Sequence, residues 1–131
     1  MKGLRIILKD IDDDGYISLL REGLPFEVAA DLVSRMDITQ KELARLLNSS
    51  VAELRTSHRD GKLTLAQGNR VARLKCLYAD IEDLLGDAAS SWLRQSLPGL
   101  QGRTPLELLD TEPGLTKVLT LTTQLSYGIY A

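Results

Sequence analysis

The chain has 131 residues, with 16 Lys+Arg against 18 Asp+Glu and a formal net charge of −2. That length accommodates one compact domain or two small ones sharing an element, and no apolar run approaches the length of a membrane span. A lone cysteine, Cys76, and a lone histidine, His58, exclude an internal disulfide and a four-ligand zinc site of the usual kind, so no metal or cofactor is expected.

Leucine-rich segments repeat at three-and-four spacing rather than alternating, which predicts an all-α protein. Met1 to Lys9 lacks a signal-like apolar core, so the expected compartment is the cytoplasm. The charge falls in blocks: 5 basic against 8 acidic residues over 1–38, 8 against 3 over 39–75, and 3 against 7 over 76–131. Phosphate attraction is local under physiological screening, so a basic block between acidic ones places nucleic acid on one part of the chain and a different partner on another.

Residues 1–14 form an acidic arm. Within Asp10 to Arg21, the residues Asp10, Asp12, Asp14, Gly15, Ile17 and Ser18 match the early positions of a calcium-binding EF-hand loop. Arg21 stands where the bidentate glutamate belongs, so the stretch reads instead as an acidic cap on a helix over 17–22. Pro25 then opens a helix whose Val28, Leu32 and Met36 make an i, i+4, i+8 stripe.

Thr39 and Glu42 predict a capping box at the start of a short helix with Leu43, Ala44 and Leu47 on one face. Asn48-Ser49-Ser50 supplies a break, with asparagine suited to a left-handed backbone and either serine able to cap the next helix, which runs to about Arg59 with Val51 and Leu54 inward. Two short helices over a tight turn, with small Ala44 at their crossing, predict a helix-turn-helix whose second helix enters the major groove. Ser50, Ala52, Glu53, Arg55 and Thr56 are the expected base readers. Gln40, Arg45, Arg59 and Lys62 are the expected backbone grips, although Ala52 and Glu53 are weak readers and imply that two copies bind together.

Thr64 caps a helix predicted to reach Leu85 and stop at Gly86, joining two modules. Leu74, Leu77, Tyr78, Ile81, Leu84 and Leu85 form its apolar stripe, Gly68 and Asn69 weaken its first turns, and Cys76 is expected as a buried or half-buried thiol. Trp92 and Leu93 precede a break at Pro98, Gly99 and Gly102, after which Thr104-Pro105 restarts a helix that buries Leu106, Leu108 and Leu109. Glu112-Pro113 opens a last helix with Leu115, Val118, Leu119, Leu121 and Leu125 on a broad apolar face. Only Arg94, Arg103 and Lys117 are cationic from residue 76 onward, so this part is expected to bind protein rather than nucleic acid. His58 and Cys76 are the sole candidate base and nucleophile, with no third group to complete a catalytic constellation, so no enzyme activity is expected.

Glu42-Leu43-Ala44, a turn and Leu54 resemble the Xre-type helix-turn-helix. Trp92-Leu93, the proline-glycine turn, the run from Gly102 to Leu109 and the terminal Tyr127-Gly128-Ile129-Tyr130-Ala131 resemble the toxin-binding domain of Xre/MbcA/ParS antitoxins, which partner RES-domain toxins. The resemblance extends from about Gly15 to Ala131. It implies a DNA-binding domain over 15–75 and a toxin-binding and dimerisation domain over 76–131, joined by the long helix. It further implies a homodimer that represses its own operon and covers the active site of a toxin that consumes NAD. Arg103 and Glu107 would then hold the interface, with Tyr127, Gly128, Ile129, Tyr130 and Ala131 at or near the toxin's pocket. The alternative is a stand-alone helix-turn-helix repressor with a carboxy-terminal dimerisation domain, and a toxin gene downstream separates the two.

Overall fold

Helix starts follow from hydroxyl caps. In the computed structural model, which describes residues 13–128, Thr39, Ser50, Thr64, Thr104 and Thr111 each accept a hydrogen bond from the backbone N–H three residues on. At Glu42, Glu53 and Gln67 the side chain returns the bond to the cap's own N–H, closing three capping boxes. The helices are α1 Asp13–Glu22, α2 Phe26–Met36, α3 Gln40–Leu46, α4 Val51–Asp60, α5 Leu65–Leu85, α6 Ala89–Trp92, α7 Pro105–Leu108 and α8 Glu112–Ser126. Short 3-10 turns lie at Gly86–Ala88 and Pro98–Leu100. Among the described residues there is no strand, only an isolated bridge between Pro25 and Lys62, and no helix is long and apolar enough to cross a membrane.

The chain forms two compact units that divide between Arg73 and Leu74, inside α5. In the first unit α1 is already helical at Asp13 and Asp14, which sit in its first turn where negative charge is favoured. The segment from Asp14 to Ser18 that matches the calcium-loop spacing is therefore helix, while Asp10 and Asp12 lie outside the described residues. Val28, Leu32 and Met36 of α2 are buried, as the spacing requires. Phe26 N–H donates to the Gly61 carbonyl and Leu63 N–H to the Leu24 carbonyl, pinning the start of α2 beside the exit from α4.

One polar side chain sits at the centre of this unit. Gln67, 2% exposed, accepts at Oε1 from the Ser57 hydroxyl (2.8 Å) and the Thr64 N–H (3.0 Å), and its Nε2 donates to Ser49 Oγ (3.1 Å). A single carboxamide thus joins the turn before α4, the middle of α4 and the cap of α5. Arg70, one turn further along α5 and also buried, donates from Nε to the Leu46 carbonyl at the end of α3.

The second unit is built around Trp92, Leu93, Leu106 and Leu109, packed with Tyr78 and Ile81 of α5 and Leu115, Val118 and Leu121 of α8. Leu106 N–H donates to the Leu93 carbonyl, and Leu97 N–H to the Arg103 carbonyl, which closes the loop between α6 and α7. Three expectations change. Leu108 is half-buried rather than buried. Cys76 is exposed because it lies across α5 from the stripe of Leu74, Leu77, Tyr78 and Ile81. Leu84 and Leu119 extend beyond what the core covers, at 39% and 44% exposed.

The glycines of two helices behave oppositely. A Cβ at Gly68 would rest in ordinary contact, 3.4 Å from Leu20 Cδ2 and 3.7 Å from Leu24 Cδ1, whereas a Cβ at Gly114 would collide with the Leu108 carbonyl. Gly68→Ala is expected to stabilise the protein by about 0.5–1 kcal/mol through helix propensity, and Gly114→Ala to destabilise it by about 3 kcal/mol, both read from urea unfolding. Gln67→Leu keeps the volume but strands the buried Ser57 hydroxyl and the Thr64 N–H. It is expected to cost about 3 kcal/mol in the same measurement.

Candidate nucleic-acid interface and carboxy-terminal surface

Ala44, 4% exposed, lets α3 and α4 approach across the turn. Asn48 takes the left-handed conformation at φ 56°, and Ser49 N–H donates to the Ala44 carbonyl at 2.9 Å, so the chain reverses within three residues. On α4, Leu54 and Ser57 are buried and Val51 half-buried, which turns Ala52, Arg55, Thr56 and Arg59 to the opposite side. These four exposed residues form one outward stripe at i, i+3, i+4 and i+7.

Within that stripe, Thr56 Oγ1 donates to the Ala52 carbonyl (3.2 Å) and receives Arg59 Nη2 at 3.4 Å. Arg55 has no hydrogen-bond partner among the described residues. Ser50 and Glu53, both exposed, also cap the helix on which they were expected to face DNA. The Glu53 carboxylate accepts the Ser50 N–H at 2.9 Å and the Ser50 hydroxyl accepts the Glu53 N–H at 3.0 Å, so both groups are occupied in starting α4.

Gln40, the first residue of α3, lines an open groove of about 640 Å³ together with Arg55, Val51, His58 and Phe26. The His58 ring stacks on Phe26 with centroids 4.8 Å apart and 23° between planes, so the imidazole serves to pack the end of α4. Arg45 on α3 and Lys62 after α4 are both exposed. Lys41, next to Gln40 in α3, is also exposed, a cation at the second position of a capped helix in the basic block that is not among the backbone grips expected from the sequence.

On the second unit the residues expected to hold a protein partner fall into two groups. Arg103 is half-buried and donates from Nε to the Leu100 carbonyl at 3.0 Å, bracing its own loop. Glu107 is exposed on α7, and its N–H completes the Thr104 cap. Tyr127 follows α8 at 79% exposure and Gly128 adopts φ 77°, while Ile129, Tyr130 and Ala131 lie outside the described residues. Among the described residues no group of three or more His, Cys, Asp or Glu is placed to hold a metal ion.

Comparison with known proteins matches both units. Residues 16–74 match the antitoxin Xre-like helix-turn-helix domain, and residues 82–128 match the antitoxin Xre/MbcA/ParS C-terminal toxin-binding domain. A protein named Prs ADP-ribosylating antitoxin from Sphingobium sp. (strain YBL2) is 27% identical over 127 residues, covering 88% of this chain and 80% of its own length. An Antitoxin Xre from Photorhabdus laumondii subsp. laumondii is 27% identical over 116 residues, covering 86% of this chain and 78% of its own. An Antitoxin Xre from Yersinia enterocolitica is 32% identical over 75 residues, or 55% of this chain and 51% of its own.

The outward stripe of α4 sets a test. Arg55→Ala or Arg59→Ala is expected to weaken binding to a DNA duplex and to lower the slope of log affinity against log salt by about one, the signature of a lost phosphate contact. Mobility shifts at two salt concentrations measure this, and slopes equal to that of the unsubstituted protein would remove both residues from the interface.

Proposed function

We propose, on the premise that this chain belongs to the Xre/MbcA/ParS antitoxin family, that it neutralises a RES-domain toxin by occupying that toxin's active site and represses its own operon through the helix-turn-helix. In this reading the chain is a non-catalytic inhibitor acting in the cytoplasm. The observation that carries it is the pairing of a basic, exposed α4 stripe in one unit with an acidic second unit whose last helix delivers Tyr127, 79% exposed, toward the chain end. Exposed tyrosines supply large contact area at low entropic cost, which suits a segment that plugs a partner's pocket.

The Sphingobium relative's name joins an antitoxin to ADP-ribosylation, a reaction that draws its ADP-ribose from NAD, and in this reading that cosubstrate belongs to the toxin. Arg103 then acts at the interface through the loop it braces, and Glu107 contacts the toxin directly. Operator binding engages a homodimer: a palindromic site presents two half-sites, and the stripe of Ala52, Arg55, Thr56 and Arg59 holds too few base-reading groups for tight recognition by one copy.

Co-expression with the product of the neighbouring gene tests the inhibitory half. Deleting Tyr127 to Ala131 is expected to abolish growth protection while leaving the fold and DNA binding intact, because terminal residues contribute little to a core. Protection that survives the deletion would refute the plug. A full-length chain that shifts operator DNA but neither protects nor co-purifies would favour the stand-alone repressor.

A further inference from the structure

The second unit carries a groove that its own core leaves open. Asp80, Asp83 and Leu84 of α5 face Leu119, Thr123 and Ser126 of α8 across a cavity of about 260 Å³. Leu84 and Leu119 are 39% and 44% exposed, two of the few large apolar side chains left in solvent among the described residues. The hydroxyls along α8 are turned back on their own helix: Thr122 donates to the Val118 carbonyl (2.8 Å), Thr123 to Leu119 (3.0 Å) and Ser126 to Thr123 (2.6 Å). With their hydrogens committed, these hydroxyl oxygens can still accept from a partner's donor but have no hydrogen to give, beside the apolar Leu84 and Leu119.

The rim has one sign of charge. Asp80 and Asp83 lie three residues apart on one face of α5, neither forms an ion pair among the described residues, and no lysine or arginine lines the groove. From this charge pattern we infer that the groove receives a cationic amphipathic helix of the toxin, an apolar side chain entering between Leu84 and Leu119 while a lysine or arginine on an adjacent turn meets Asp80 and Asp83. A second copy of this chain fits poorly, because a two-fold contact would bring another pair of the same carboxylates to the same patch. Ser126, which lines the groove, is followed directly in the chain by Tyr127, the first residue of the segment proposed to plug the toxin.

The inference rests on the proposed toxin-binding role of this unit and adds an anchoring surface to it. It is tested with the full-length chain and the purified product of the neighbouring gene, by calorimetry at two salt concentrations. Leu119→Asp is expected to weaken binding by about tenfold or more. Asp80→Asn with Asp83→Asn, which leaves the apolar walls intact, is expected to weaken it about threefold at low salt and to flatten its salt dependence. Circular dichroism and operator binding verify that each variant folds. Unchanged affinity and salt dependence in the double variant would overturn the groove, as would substitutions that alter only the oligomeric state, which assign it to a second copy. Failure of the unsubstituted chain to bind removes the toxin-binding role and the groove together, whereas binding that survives both substitutions removes the groove alone.

Discussion

The first unit depends on the Gln67 carboxamide. A buried amide is tolerated only when its donors and acceptor are used, and here three parts of the chain converge on it: Ser49 in the turn, Ser57 on α4 and the Thr64 N–H. Leucines around it supply most of the burial energy, but leucine contacts are non-directional and permit α4 to slide or rotate. The hydrogen bonds do not. They set which face of α4 turns outward, and hence that Ala52, Arg55, Thr56 and Arg59 form the exposed stripe. Arg70 adds a second directional contact by holding the Leu46 carbonyl, so the ends of both short helices are referred to α5.

In the second unit the corresponding constraint is steric. Gly114 allows the first turn of α8 to lie against the Leu108 carbonyl, an approach that any side chain would block. The Thr111 cap fixes that turn, and Leu106 N–H on the Leu93 carbonyl fixes α7 behind it. Short helices of four residues are unstable alone, so α6 and α7 exist only because these contacts and the burial of Trp92 and Leu109 hold them.

Which features were legible in the sequence follows from the range of the interactions that make them. The Thr39 and Glu42 box, the left-handed Asn48, the Thr104-Pro105 restart and the stop at Gly86 all depend on residues within four positions of each other, and local rules found them. Ser50-x-x-Glu53 obeys the same rule, and the pair caps α4. Cys76 shows where average burial misleads: cysteine is commonly buried, but its helical phase, across α5 from Leu74, Leu77 and Tyr78, decides its exposure. Arg70 and Gly114 are illegible as organisers for a different reason: each acts on residues outside its own turn that folding brings near. Thr64-x-x-Gln67 has the spacing of a capping box, but the reach of Gln67 to Ser49 and Ser57 depends on the fold. Arg103 was legible as part of a motif, but its turn back toward the Leu100 carbonyl was not.

The occupied cap of α4 bears on how the proposed operator complex achieves selectivity. With Ser50 and Glu53 engaged with each other, the start of α4 presents a carboxylate close to where a phosphate or base edge would approach, and it lacks the bidentate arginine or glutamine that reads guanine or adenine well. Arg55 is the outward residue best suited to a base edge, while Arg59, Lys62, Arg45 and Lys41 are better suited to phosphates. Such a surface binds DNA through charge more than through sequence, so its affinity falls steeply with salt and its discrimination per copy is small. On the proposed homodimer, selectivity comes from geometry, namely the spacing at which two copies place their α4 helices and the deformability of the base pairs between them. A partner that changed that spacing would alter repression without touching a single base contact, which in the proposed reading gives a toxin bound to the second unit a physical route to regulating the first.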